Sequence, residues 1–236
     1  LASDIYAFSN QTNRAIFFND NEFAVVDKDG YNFFDKNGNA IKKGVKMFEW
    51  SQEDSIKKEF EHYMVKEIHE EPVVANCLVK SLETTQKEKL DEFINLIKES
   101  KKVMFVAAGT SYHASLLGSY FLHKVDIDAN TIIASEFKDF AFTDENTLVI
   151  AISQSGETMD VIDALKIAKK NGSKIASIVN VPYSTIQRMS EISLEILAGQ
   201  EVCVAATKTF VNQVLILLYI AKLLGYQIDI NEIPKK

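Results

Sequence analysis

Residues 147–170 constrain the fold more than any other stretch, because an apolar run passes directly into a polar turn and then into a helical pattern. Thr147–Ile152 is short, apolar and β-branched, which is typical of a strand buried on both faces. Apolar residues then recur at the spacing of one helical face, at Val161, Ala164, Leu165 and Ala168. The stretch therefore predicts a strand, a polar turn over residues 153–158 and a helix.

The polar turn has the composition of an anion-binding site. Free N–H groups and the macrodipole at the start of a helix attract anions. Ser153, Gln154, Ser155 and Thr158 can each donate a hydrogen bond, and Gly156 allows close approach of the backbone. The turn contains no Lys or Arg, so a phosphate here would be held by uncharged donors. The alternative is that these hydroxyls only cap the helix.

The same pattern occurs once more upstream. Val103–Ala108 is predicted as a buried strand, Gly109, Thr110 and Ser111 as a turn, and Tyr112–Lys124 as a helix. Further strands are predicted over residues 131–134, 174–179 and 192–197. These elements predict an α/β fold with a doubly wound, five-stranded parallel sheet between two layers of helices. The turns after residues 108 and 152 should then meet at one edge of the sheet and share one anionic ligand.

The N-terminal part has a different pattern. Short apolar runs over residues 15–18, 23–26 and 31–34 are separated by turn sequences at Asp27–Gly30 and Asp35–Gly38, which predicts a small antiparallel β segment. A helical period follows, with Ile56, Phe60, Tyr63 and Met64 on one face and a capping box at Ser51–Asp54. We therefore place a domain boundary between residues 48 and 49. A second helix, ending at Ser100, has Leu90, Phe93, Ile94 and Ile97 on one face.

Composition excludes several classes of function. The net charge of −7 argues against a nucleic-acid partner. The longest apolar run, Val214–Ala221, is shorter than the roughly 20 residues of a membrane span, and no signal peptide is recognisable. Two distant cysteines, Cys77 and Cys203, suggest neither a disulfide nor a zinc site and favour a cytoplasmic location.

No cofactor is expected, because neither glycine-rich nucleotide fingerprint is present. His62 and His69 lie seven residues apart near several glutamates, where a solvated charged face is a better interpretation than a metal site. His113 is close enough to the Gly109–Ser111 turn to touch a ligand, although packing is the simpler role. Cys203 has no neighbouring base and is expected to be inert.

Five segments in order resemble the first sugar-isomerase (SIS) domain of the glucosamine-6-phosphate synthase family, also called glutamine–fructose-6-phosphate aminotransferases. They read AAGTSYHASLLGSYFL, IIASEF, AISQSGETMDVIDALKIAK, IVNVPYSTIQR and VCVAATKTFVNQV. The resemblance continues upstream through YMVKEIHEEP, and LASD, TNRAIFF and FFDKNGNAIK resemble the end of that family's glutaminase domain. It implies a glutaminase remnant over residues 1–48 and one SIS domain over residues 49–236.

The resemblance also implies a ligand and its contacts. The expected ligand is a sugar phosphate, fructose 6-phosphate or glucosamine 6-phosphate, and the expected assembly is a homodimer, with residues 210–224 as a suitable pairing face. The implied phosphate-binding residues are Ser111, Ser153, Gln154, Ser155 and Thr158. Gly109, Thr110 and the backbone near Val204 would complete the substrate site. Ala108 and Ala206 depart from the family, which usually has a cysteine and a serine there.

The resemblance assigns no catalytic residue to this chain. The family's glutaminase cysteine and the ring-opening Lys, Glu and His would lie outside these residues, so we expect sugar phosphate binding without full turnover. Two alternatives stay open. A non-catalytic phosphosugar-sensing SIS module would need no base, whereas a stand-alone phosphosugar isomerase would need one, for which His69 and Glu136 are candidates.

Overall fold

The computed structural model describes residues 11–19, 21–47 and 59–229, together with residues 2 and 57. The chain divides into two compact units, Leu1–Ile56 and Lys57–Lys236.

The described residues of the first unit form five short strands. They are β1 (Arg14–Ala15), β2 (Glu22–Asp27), β3 (Gly30–Asp35), β4 (Ala40–Ile41) and β5 (Lys46–Met47). β2, β3 and β4 form an antiparallel sheet, and both predicted turns are present between them. Asp27 closes the first turn, because its Oδ1 accepts from the Asp29 and Gly30 N–H groups at 2.8 and 3.0 Å. The prediction of a small antiparallel segment is confirmed.

The first run of this segment differs from the prediction. Instead of continuing to residue 18, β1 ends at Ala15 and pairs with β5 rather than with β2. Asn21 has a φ of +64°, so the chain turns there before β2 begins. The carboxylate of Glu22 also accepts the Asn19 N–H at 2.7 Å and holds the turn. The third strand of the meander is therefore β4, which the apolar pattern did not show.

The second unit is built on a five-stranded parallel sheet. Its strands are β6 (Lys102–Ala107), β7 (Ala129–Ile133), β8 (Thr147–Ser153), β9 (Lys174–Val179) and β10 (Ile192–Glu195). Their order across the sheet is β10-β9-β8-β6-β7, and every pair is parallel. The doubly wound sheet is confirmed. The chain leaves β6 towards β7 and then crosses to β8 on the other side, so the switch point lies between β6 and β8.

Helices cover both faces of this sheet. They are α1 (Tyr63–Glu83), α2 (Lys87–Glu99), α3 (Thr110–His123), α4 (Phe137–Phe140), α5 (Met159–Lys170), α6 (Thr185–Met189) and α7 (Lys208–Leu223), with a 3₁₀ turn at Ala134–Glu136. Alternate strand residues point to opposite faces. Val103 and Ile150 belong to a core shared with α1, α2, α3 and α7, whereas Val106 and Val149 belong to a core shared with α4, α5 and α6.

Helix α1 begins later than the periodicity predicts. It starts at Tyr63, so Phe60 precedes it and stacks on the ring of His69 at 5.2 Å. The predicted capping box and Ile56 lie outside the described residues. The second helix is confirmed: α2 ends at Glu99, and its predicted apolar face, Leu90, Phe93, Ile94 and Ile97, is buried.

The predicted end of the last strand is corrected. The last strand ends at Glu195 rather than Leu197, because Leu197 has a φ of +53° and leaves the extended region. Helix α7 is the buried helix that its apolar sequence predicts, since residues 215–221 pack inside this unit, and the pairing face over residues 210–224 stays a prediction. Within the described residues, no helix is both long enough and apolar enough to span a bilayer.

Candidate functional site

A pocket of about 230 Å³ opens at the carboxyl ends of β6 and β8, next to the switch point of the sheet. Three chain segments line it. They contribute Ala108, Thr110 and Ser111; Ile152, Ser153, Gln154, Ser155 and Thr158; and Glu201, Cys203, Val204, Ala206 and Thr209. We call residues 153–158 the turn wall and residues 201–206 the loop wall. The turns after the two neighbouring strands therefore converge, as expected from parallel strands.

The turn wall is organised by its own hydroxyl groups. Ser153 Oγ accepts the Gly156 N–H at 3.0 Å and lies 3.1 Å from Thr158 Oγ1. Ser155 Oγ accepts the Glu157 N–H at 3.1 Å. Each of these hydroxyls keeps lone pairs or a proton for another partner. The turn is thus held in shape before any ligand is present, with Thr158 immediately preceding α5.

Gly156 is required by both the backbone and the packing of the turn wall. Its φ is +67°, which L side chains rarely adopt. A Cβ at this position would lie 2.0 Å from Ser184 Oγ, a buried atom before α6. The Ile186 N–H also donates to the Gly156 carbonyl at 3.0 Å. Helix α6 therefore supports the turn wall from behind.

Of the predicted residues in and just before α3, some line the pocket and others do not. Thr110 and Ser111 line the pocket, and Ser111 Oγ accepts from Gln213 Nε2 of α7 at 2.9 Å. This contact leaves the Ser111 proton free to be donated. Gly109 lies outside the lining, and its φ of +58° allows the chain to turn from β6 into α3. His113 is exposed and also lies outside the lining.

The loop wall brings a carboxylate that the sequence analysis missed. Glu201 Oε1 accepts the N–H groups of Thr207 and Thr209 at 2.9 and 3.2 Å, and Oε2 accepts the Thr209 hydroxyl. Glu201 thus caps the N-terminus of α7, where a negative charge interacts favourably with the helix dipole. The available signal was an acidic residue six positions before Thr207, the N-cap residue of α7.

The electrostatic character of the pocket is unusual for an anion site. Among the residues that the structure describes, its lining includes no Lys or Arg, and the charged residue in it is Glu201. An anion would therefore depend on hydroxyls, an amide and backbone N–H groups, as predicted from the turn. Burial and the charge of Glu201 raise the pKa of the neighbouring Glu71 carboxyl above its ordinary value.

Neither candidate base of the stand-alone isomerase alternative lines the pocket. His69 is exposed and stacks on Phe60. Glu136 lies in the 3₁₀ turn, where its carboxylate accepts from Ser135 Oγ at 3.3 Å. Among the described residues, no group of three His, Cys, Asp or Glu side chains is arranged to hold a metal ion.

Comparison with known proteins agrees with this architecture. The family model of the SIS domain matches residues 96–223, more than half of the chain. The chain belongs to the SIS domain family. It is 40% identical over 230 residues to a protein of Clostridium tetani named glutamine–fructose-6-phosphate aminotransferase [isomerizing], covering 94% of this chain and 38% of that relative.

Two further comparisons extend this similarity. A protein of the same name from Methanocaldococcus jannaschii is 39% identical, with 99% of this chain and 22% of that relative covered. The solved structure of the C-terminal domain of glucosamine-fructose-6-phosphate aminotransferase from Francisella tularensis superposes with a TM-score of 0.63 at 35% identity, covering 76% of this chain and 53% of that one. The chain thus spans about two fifths or less of the length of these curated relatives.

Proposed function

We propose that the pocket binds the phosphate and the sugar of fructose 6-phosphate, and that the chain is the first SIS domain of a glutamine–fructose-6-phosphate aminotransferase. The observation that carries the proposal is the convergence of uncharged donors from two strand ends in one pocket. The names of the relatives support the choice of sugar. The geometry itself supports only an anionic ligand with several hydrogen-bond acceptors.

The residues have distinct proposed roles. Ser111, Ser153, Gln154, Ser155 and Thr158 donate to the phosphate oxygens. Thr110 and the backbone near Val204 contact the sugar, with Gly109 shaping the approach to α3. Ala108 and Ala206 line the pocket without a polar side-chain atom, so contacts there are apolar. Such a site binds and orients a substrate through fixed dipoles.

The rest of the enzyme belongs to the same proposal. Residues 1–48 would be the end of a glutaminase domain, and the protein would act in the cytoplasm as a homodimer. We assign no acid or base in this chain to the transfer of an amino group or to the isomerisation. The chain alone should therefore bind sugar phosphate without forming glucosamine 6-phosphate.

The test combines a titration with an assay. Isothermal titration of this chain with fructose 6-phosphate should show binding, and glucose 6-phosphate and inorganic phosphate serve as comparison ligands. A glucosamine 6-phosphate assay on the same sample should show no product. Absence of binding by every phosphate ligand would contradict the proposed pocket, whereas turnover by this chain would contradict the assignment as one domain of a larger enzyme.

A further inference from the structure

Glu67 is a buried carboxylate that points at the backbone of the loop wall. Glu67 lies in the first turns of α1 and is only 1% exposed. Glu67 Oε1 accepts the Val202 N–H at 2.6 Å, and the Cys203 N–H lies 3.3 Å from both carboxylate oxygens. A buried carboxylate is unfavourable unless such donors satisfy it. Glu67 is therefore tied to two consecutive residues of the loop wall.

Glu201 ties the start of the loop wall to α7, but the described contacts of residues 202–206 are few. Val202 and Val204 are 40% and 105% exposed, and none of residues 202–206 is buried. In the described part of the chain, the backbone N–H groups of residues 202–206 that donate a hydrogen bond are those of Val202 and Cys203, and both donate to Glu67. Apolar packing therefore does not fix the position of this loop. The Glu67 carboxylate of α1 holds residues 202 and 203, beyond the anchor that Glu201 provides at the start of the loop.

Buried charges around Glu67 extend the same connection. Lys208, the first residue of α7, donates to Glu70 Oε2 at 2.7 Å, and Lys66 lies 3.0 Å from Glu70 Oε1. Both lysines are about as buried as Glu67, at 2% exposure. Burial raises the pKa of Glu70, but the hydrogen bonds and charges of the two lysines outweigh it and hold that pKa below its ordinary value. The contacts join α1 to both ends of the segment that carries Cys203, Val204 and Ala206.

We propose that Glu67 is a positioning residue for substrate: it fixes the loop wall where the backbone near Val204 meets the sugar. The inference rests on the proposed function, because it assigns the sugar end of the ligand to this wall. It predicts an asymmetry. Loss of the Glu67 carboxylate should weaken the contacts between the loop wall and the sugar and leave the phosphate contacts of the turn wall unchanged.

The experiment compares two ligands on two variants. Fructose 6-phosphate and inorganic phosphate are titrated into the wild-type chain, Glu67→Gln and the control Glu83→Gln, with binding followed by amide chemical shifts. Glu83 is on the same α1 helix, about 24 Å further along, where its carboxylate accepts from the Tyr219 hydroxyl at 3.2 Å. A thermal unfolding curve of each variant shows whether it is folded at the temperature of the titration.

Glu67→Gln should reduce the affinity for fructose 6-phosphate about tenfold, because a charge-assisted contact to the loop is lost. Its affinity for inorganic phosphate should stay within about twofold of wild type, and Glu83→Gln should change neither. Equal losses for the two ligands, or no loss, would overturn the inference.

Two further outcomes are distinguishable. If Glu67→Gln does not fold, the same comparison on Glu67→Asp decides, because this variant keeps the charge and shortens the side chain by one methylene. Its fructose 6-phosphate affinity should fall selectively, and an unchanged ratio of the two affinities counts against the inference. A wild-type chain that binds neither ligand would instead refute the proposed function, whatever the variants do.

Discussion

The hydroxyls of the turn wall bond within their own short segment, whereas the middle of the loop wall is held by a residue far away in the sequence. Ser153 and Ser155 bond to N–H groups two or three residues further along. In the loop wall, Val202 and Cys203 depend on Glu67, which lies about 135 residues earlier. The hydroxyl contacts of the turn wall are therefore local, although α6 packs behind it, whereas residues 202 and 203 of the loop wall depend on a contact between distant parts of the chain.

The largest loss of folding stability is expected for a substitution in the turn wall. Gly156→Ala should destabilise the chain by about 3 kcal/mol or more, because a positive φ and a clash with Ser184 Oγ act together. Gly172→Ala is the control: its φ is +87°, but the nearest atom to a new Cβ is 3.7 Å away. It should lose only about 1 kcal/mol. Urea unfolding measures both, and equal losses would show that Gly156 is not packed against α6.

The next effect separates the two ligand ends. Thr158→Val removes a hydroxyl of the turn wall and should weaken the binding of inorganic phosphate and fructose 6-phosphate alike, each about tenfold. Thr131→Val is the matched control, because Thr131 Oγ1 donates to the Ser115 carbonyl outside the pocket at 3.0 Å. Titration calorimetry measures the affinities. A selective loss for the sugar ester at Thr158 would reverse the assignment of the two walls.

A smaller effect compares one carboxylate from each wall. Glu201→Gln should lower the free energy of unfolding by about 1 kcal/mol, since Glu201 caps α7 with four hydrogen bonds. Glu157→Gln should cost about 0.5 kcal/mol, because the single exposed contact of Glu157 to the Thr185 N–H is solvated. Urea unfolding of both variants tests the order. A larger loss for Glu157 would mean that the loop wall is not the wall fixed by charge.

The smallest expected effect is a dependence of folding stability on pH. Since the pKa of folded Glu70 lies below its ordinary value of 4.5, its ion pairs stabilise the chain above that pH and are lost as the pH falls through the folded pKa. Wild type should exceed Glu70→Gln in unfolding free energy by about 1 kcal/mol or less at pH 6. Thermal unfolding from pH 6 to 3 should show the difference shrinking below pH 4.5. A constant difference would contradict the ion-pair network.

The contrast between the walls also explains what the sequence could predict. Strand β9 was predicted to the residue, because Gly172 and Asn180 bound a compact β-branched run. The turn wall was predicted with its donors, since a strand, a polar turn and a helix are read from consecutive residues. The antiparallel pairing of β1 with β5 was not predicted, because strands of two residues are too short to show an alternation of apolar and polar residues.

The missed residues of the site share one property. Glu67 and Gln213 act on the pocket across about 135 and 102 residues of sequence, through contacts that no local pattern contains. Glu67 also reads as one of several glutamates on a charged helix face, and only its burial distinguishes it. Tertiary packing, rather than residue type, makes these side chains part of the site.

The central claim is that uncharged donors of the turn wall and Ser111 bind a phosphate ester, and crystals of this chain soaked with fructose 6-phosphate test it most directly. We predict electron density for the phosphate within hydrogen-bond distance of the hydroxyls of Ser111, Ser153, Ser155 and Thr158. Sugar density should extend from there towards the loop wall. A phosphate bound elsewhere, with these four hydroxyls contacting only the protein, would contradict the account.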